Sequence, residues 1–153
     1  MHYTEYDTRL AAYAVIVNDA EELLLTWFNG GADGGTPGWS LPGGGVEFDE
    51  AVEDAVVREA YEETGYDVEL GPLLTIHHHT APAGGPFPRP YRSQRFLFRA
   101  RVVGGQLGTT ETGGTTDFAR WVPLAELPLP ERTAEIVDLA VRSVEQWSQG
   151  AGS

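Results

Sequence analysis

Apolar and polar positions change period several times along the chain, and each change marks an element. Leu10–Val17 and Leu23–Phe28 are apolar runs separated by the polar stretch 18–22. Runs of that length and content read as strands, joined as a hairpin or lying as neighbours. Residues 29–38 make a glycine-rich loop. From about Glu50 to Thr64 there is no proline or glycine, and Ala, Val, Glu and Arg dominate. That content predicts a helix, with Asp49 or Asp54 serving its first turn and Gly65 ending it. Val68–His79 predicts a strand interrupted near Gly71 and Pro72. Pro82, Pro86, Pro88 and Pro90 predict an exposed irregular loop over 80–90. Arg92–Val103 alternates: Phe96, Phe98, Ala100 and Val102 share one face, Arg95, Leu97, Arg99 and Arg101 the other. Residues 104–116 are turn-like, Phe118–Val122 reads as a short strand, and Glu131–Trp147 as a second amphipathic helix. Its apolar stripe is Ile136, Leu139, Ala140, Val144 and Trp147. With no internal repeat and no linker, residues 1–149 are expected to form a single α/β domain and 150–153 a disordered tail.

The first of these helices breaks its own pattern. Glu59 and Glu63 stand one above the other at 3.6 residues per turn, with Glu62 beside them. Both fall within roughly 60° of Val52 and Val56, so an inward-facing apolar stripe becomes a carboxylate cluster in the second half of the helix. Departures of this kind tend to mark functional sites. The acids repel one another and meet the negative end of the helix dipole. Arg58, four residues before Glu62, relieves one of them with its guanidinium fork but cannot neutralise three. A hard divalent cation would, and clustered carboxylate oxygens suit Mg²⁺ or Mn²⁺. Directly upstream, Gly43, Gly44 and Gly45 allow backbone groups to approach a metal or a phosphate closely.

Gly44, Glu50, Arg58-Glu59, Glu62-Glu63 and Gly65 together match every specified position of a known pattern. The segment closely resembles the signature box of the Nudix hydrolases, the MutT-like enzymes. The resemblance extends more loosely to the preceding turn, Trp39-Ser40-Leu41-Pro42-Gly43, and to Arg120–Leu127. It implies an α/β/α sandwich with a mixed β-sheet between helices, and a metal-dependent pyrophosphohydrolase. On that resemblance Glu59, Glu62 and Glu63 are the metal ligands, with the Gly43 carbonyl beside them. Arg58 is expected to orient or pair a box carboxylate, and Glu50 to be structural or an outer ligand. The general base is a box glutamate or an acid on a later loop. Glu111 and Asp117 are the available loop acids, and Asp117, next to the Phe118–Val122 strand, is the better placed. A homodimer is a further expectation of the family.

Composition narrows the partners. The chain of 153 residues is the size of one domain with a proper core, and its 41% apolar content suits a globular fold. No stretch approaches the roughly 20 apolar residues that span a bilayer, so no membrane partner is expected. Cysteine is absent, which fits a cytoplasmic location. Ten basic against 23 acidic side chains give a net charge of −13. Such a body repels nucleic acid polymers, whose binding is mainly phosphate neutralisation, so the expected substrate is a small nucleotide bridged by cations.

Within this acidic chain Arg92, Arg95, Arg99 and Arg101 crowd one strand. Arg92 and Arg95 are candidates for a phosphate or ribose contact, since arginine forks match phosphate oxygens. Trp39 is the first candidate for stacking a base, with Trp27, Phe28, Phe87 and Tyr91 as others. His77, His78 and His79 cannot converge on one ion from a strand, where alternate side chains point to opposite faces. Nudix enzymes that act on ADP-ribose often carry a proline sixteen residues past the box, the position of Pro82 here, which tilts the expectation slightly from a (d)NTP toward ADP-ribose or a nucleotide sugar. Two other classes fit less well. A non-catalytic nucleotide-binding regulatory module of this fold usually loses box glutamates, and isomerase chemistry on isoprenoid diphosphates wants a cysteine.

Overall fold

A computed structural model describes residues 1–32 and 35–151 of the chain. Asp33 and Gly34 of the expected glycine-rich loop, and Gly152 and Ser153 of the expected tail, lie outside the described residues. The strands are β1 (Asp7–Ile16), β2 (Glu22–Phe28), β3 (Gly38–Ser40), β4 (Gly43–Gly45), β5 (Tyr66–Ala81), β6 (Tyr91–Gly105) and β7 (Thr116–Pro123). Helix α1 (Val52–Thr64) follows β4, and α2 (Glu135–Ala151) closes the described chain.

The strands make two sheets. One is mixed, in the order β4-β1-β6-β5, with β1 and β6 parallel and the outer pairs antiparallel. The other, β3-β2-β7, is antiparallel. The two apolar runs at the start of the chain therefore do not form a hairpin. They share one bridge, Val17 to Leu23, and then diverge into different sheets. Asn18 makes that divergence possible, since its side-chain oxygen accepts from the backbone N–H of Ala20 and Glu22 at 3.0 and 2.9 Å and closes the turn.

Both faces of the strands are covered, which explains why β1 reads as continuously apolar. Ala11, Tyr13 and Val15 pack toward Ile136, Val137, Ala140 and Val144 of α2. Ala12, Ala14 and Ile16 pack toward Ala55, Val56 and Ala60 of α1. The alternation of β6 is resolved in the same way, with Phe96, Phe98, Ala100 and Val102 against α1 and Leu97 against α2. An α/β/α sandwich results.

Three boundaries differ from the periodic reading. Trp39-Ser40-Leu41-Pro42-Gly43 is a crossing between sheets, not a simple turn: β3 pairs with β2 and β4 with β1. Helix α2 begins at Glu135, since the backbone before it is committed elsewhere. Trp39 donates its N–H to Arg132 O at 2.8 Å, and Ala134 donates to Trp39 O at 2.8 Å. The same helix runs through Gly150 to Ala151, two residues into the expected tail. Gly65 ends α1 as its spacing predicts, with φ 78° and its N–H on Tyr61 O at 2.9 Å.

Candidate active site

The glycine strand β4 and the C-terminal half of α1 meet at one end of an open cleft of about 610 Å³. At Gly43 the backbone has φ 149° and a Cβ would collide with Ala12 O and Tyr13. At Gly44 a Cβ would stand 3.0 Å from the Glu59 carboxylate. A side chain at Gly43 would thus meet backbone and one at Gly44 would press on Glu59, so backbone and carboxylate come into direct apposition.

Glu63 is buried to 7% exposure. Its Oε1 accepts from the Gly43 N–H at 2.7 Å, and its Oε2 accepts from the Thr116 hydroxyl. Among the described residues no cation lies within ion-pair distance of it. Burial pushes its carboxyl up to about 8, against the pull of the Thr116 and Gly43 hydrogen bonds, and the nearby Glu59 and Glu111 add to the rise. Burial raises Glu59 as well, opposed by Arg58.

Arg58 organises the other acids. It forks onto Glu50 through Nε and Nη2 at 2.7 and 2.9 Å, and its Nη1 reaches Glu59 at 3.1 Å and Glu62 at 3.2 Å. Its Nη2 also donates to Gly45 O at 3.1 Å, tying helix to strand. The hydrogen bond from Arg58 holds the Glu50 carboxyl down to about 2, and Glu50 in turn raises the guanidinium further above its usual range. Glu50 is therefore the anchor of Arg58.

The three box acids do not all face the same space. Glu59 and Glu63 line the cleft, whereas Glu62 is turned to Arg58. Among the described residues no group of three acidic or histidine side chains is already gathered around a common point. The acid that joins Glu59 and Glu63 in the cleft is Glu111, not Asp117. Asp117 is exposed, stands outside the cleft lining and accepts from Asn29 Nδ2 at 2.9 Å. Glu111 is delivered by a loop that caps α1: Gly108 donates to Thr64 O at 2.8 Å and Thr110 to Glu62 O at 2.9 Å. These amides satisfy carbonyls that a helix end leaves without partners, and the next residue projects into the cleft.

The far side is cationic and aromatic. Arg95, as the strand pattern suggests, and Arg132 line it, while Arg9 enters the cleft beside Gly45, at the glutamate end; nothing in the sequence had marked Arg9 or Arg132. Burial works against the Arg9 charge, yet Tyr13, Tyr91 and Glu59 hold its pKa above the ordinary guanidinium value. Arg92 is elsewhere. Its guanidinium is spent on Gln94 at 2.8 and 3.2 Å, in a separate hollow that it shares with Pro82, Tyr6 and Tyr91. Trp39 borders the cleft but is a core residue. It is 3% exposed, packed edge-on against Trp27 and Phe118, with Arg120 over its ring at 4.6 Å. The half-exposed aromatics of the cleft are Phe28 and Phe87. His77 pairs loosely with Glu135, and His78 and His79 are exposed.

Paired carboxylates facing a glycine strand, at the edge of an α/β/α sandwich, define a hydrolase-type cleft with hard oxygen donors at one end. Comparison with known proteins agrees. The family model of the NUDIX domain matches residues 7–140. A Bacillus subtilis (strain 168) protein named "Putative 8-oxo-dGTP diphosphatase" is 33% identical over 133 residues, covering 83% of this chain and 76% of that protein. Another from the same organism, "Putative ADP-ribose pyrophosphatase YjhB", is 37% identical over 93 residues, covering 59% of this chain and 41% of its own length. A crystal structure of a MutT NUDIX hydrolase from Burkholderia pseudomallei superposes with a TM-score of 0.70 at 29% identity, covering 90% of this chain and 98% of that one. The chain belongs to the Nudix hydrolase family.

No helix among the described residues is long and apolar enough to cross a membrane.

Proposed function

We propose that this chain hydrolyses the pyrophosphate linkage of a nucleoside diphosphate derivative, with Mg²⁺ or Mn²⁺ as the working cation. The observation that carries this reading is the apposition of Glu59 and Glu63 to the backbone of Gly43 and Gly44. Glu59, Glu63 and Glu111 repel one another there, and among the described residues the only cation paired with any of them is Arg58, which is shared with Glu50 and Glu62. The donor set fits a hard divalent ion. Glu59, Glu63 and the Gly43 carbonyl would hold it, with Glu62 joining when Arg58 releases it. Bound there, the ion would neutralise diphosphate charge and acidify a water molecule.

The chain's own residues do the rest. The Gly43 N–H and the Thr116 hydroxyl fix the rotamer of Glu63, so the carboxylate is set before substrate arrives. Arg58 holds helix to strand through Gly45 O and opposes the rise that burial gives the Glu59 carboxyl. Glu111, in the role first assigned to Asp117, accepts the proton of the attacking water, a carboxylate acting as general base. Arg9, beside Gly45, neutralises diphosphate oxygens, and Phe28 and Phe87 offer faces to a base.

For the substrate, one relative's name points to an oxidised dGTP and another's to ADP-ribose. The cleft favours neither by itself, and Pro82 faces a different hollow. A cytoplasmic homodimer completes the reading, resting on composition and family resemblance. The test is a panel of ADP-ribose, nucleotide sugars, dinucleoside polyphosphates, NADH, (d)NTPs and 8-oxo-dGTP, each with Mg²⁺ or Mn²⁺. Release of a nucleoside monophosphate from at least one, abolished by EDTA, is the expected result. Silence across the panel with properly folded protein would overturn the assignment.

A further inference from the structure

Arg95 is held in an unusual way for a half-buried arginine. Its Nη1 lies 3.6 Å from Glu135 Oε2, well beyond the 2.7–2.9 Å of a good charge-assisted bond, and its Nε is buried with no acceptor among the described residues. Leaving such a donor unmade costs free energy, so an unsatisfied group of this kind calls for an explanation. Across the sheet the row containing it reads Gly45, Ala11, Arg95, His77. Beside the guanidinium on one side there is a methyl group and then no side chain at all. On the other, His77 Nε2 lies 3.4 Å from the second oxygen of Glu135, the first residue of α2. One carboxylate therefore tethers both cross-strand neighbours loosely, and fixes Arg95 at the border of the cleft without consuming its fork.

Most other arginines outside the box are committed: Arg89 to Asp7, Arg92 to Gln94, Arg101 to Glu69, Arg99 to the Trp147 ring and Arg120 to the Trp39 ring. We propose that Arg95 is a specificity-determining residue of the cleft, positioned by Glu135, which reads a pair of adjacent acceptors on the part of the substrate remote from the scissile linkage. The proposal rests on the cleft being the nucleotide site. Two sources present that chemistry to a guanidinium fork: the O6/N7 edge of a guanine, or the oxygens of a second phosphate. Adenine, with an amino donor beside N7, does not.

Binding of product-like ligands in EDTA tests this without metal or turnover, read by the fluorescence of the tryptophans, one of which borders the cleft. Wild-type protein is titrated with AMP, GMP and adenosine 2′,5′-bisphosphate, and so are Arg95→Gln, Arg95→Lys and Glu135→Gln. The expected result is a preference over AMP on the order of tenfold for one of the other two ligands. GMP preference identifies the base edge, bisphosphate preference the second phosphate. Arg95→Gln should bring the ratio to about one, and Arg95→Lys should lower it without abolishing it, since an ammonium keeps charge and donors but not the planar fork. Glu135→Gln should fall between. Thermal melts of each variant show which are folded, and Arg95→Lys decides if Arg95→Gln is not. No preference in wild-type protein, or a preference undiminished in a folded Arg95 variant, overturns the proposal. A preference with no hydrolysis of any panel substrate would instead sink the pyrophosphohydrolase reading and leave this one standing.

Discussion

The two ends of the cleft are built on opposite principles. At the glutamate end the key side chains are already held: Glu63 accepts two hydrogen bonds, and Arg58 serves three carboxylates and a carbonyl. At the arginine end Arg95 makes no close bond, and Arg132 spends one donor on Thr36 O at 3.1 Å. The contrast follows from what each end has to do. Catalytic oxygens must be fixed to within a fraction of an ångström before the ligand comes, whereas recognition leaves donors open for the ligand to satisfy. Changes at the glutamate end should therefore strike turnover and stability, and changes at the arginine end should strike apparent affinity.

The largest effect is expected from Glu63→Gln. Removing a proposed metal ligand should lower kcat at least about a hundredfold, beyond the cost of losing a group that merely orients a ligand. Mg²⁺ should raise the Tm of the wild-type protein, and that rise should shrink in the variant; steady-state kinetics and a thermal melt with and without the ion check both. Gly43→Ala comes next. The added methyl collides with backbone at a positive φ, so a loss of about 1–3 kcal/mol in a urea titration is expected.

A paired comparison then separates the two loop acids. Glu111→Gln should lower kcat by about tenfold or more, whereas Asp117→Asn, whose partner is Asn29, should stay within about twofold. A loss in Asp117→Asn with Glu111→Gln near wild type would return the base to Asp117. At the other end Arg132→Gln should raise KM a few-fold, with kcat and the unfolding midpoint nearly unchanged; a collapse of kcat would erase the distinction between the two ends.

The smallest effect is electrostatic. Glu50 is held at about 2 in the folded chain against 4.5 unperturbed. A depressed carboxyl contributes stability that is fully present above the unfolded value, and is lost as pH falls from about 4.5 through about 2. Arg58→Gln should flatten that part of the acid limb, which urea titrations at several pH values would measure.

Much of the architecture was legible in periodicity. The run from Val52 to Thr64 has helix composition and a glycine stop, and β6 alternates so cleanly that both of its packing faces could be assigned. The acids of α1 were readable too, since their 3.6-residue spacing puts them on one face whatever surrounds them. The failures have a common cause. Arg132 and Thr133 look like the start of a helix, but pairing with Trp39 overrides the local preference. Glu62 shares a helix face with Glu59 and Glu63 yet turns away, because Arg58 competes for its carboxylate. Asp117 stands beside Thr116, a functional neighbour, but on the next side of a strand.

The amino-acid sequence by itself determined the family, the acidic helix and the glycine run before it, because these are set by residue types at fixed local spacing. Only the tertiary structure decided which charges meet across the cleft. Arg9, Arg95, Glu111 and Thr116 come from four separate segments, and their convergence depends on how two sheets and a capping loop pack, a relation that no local period encodes.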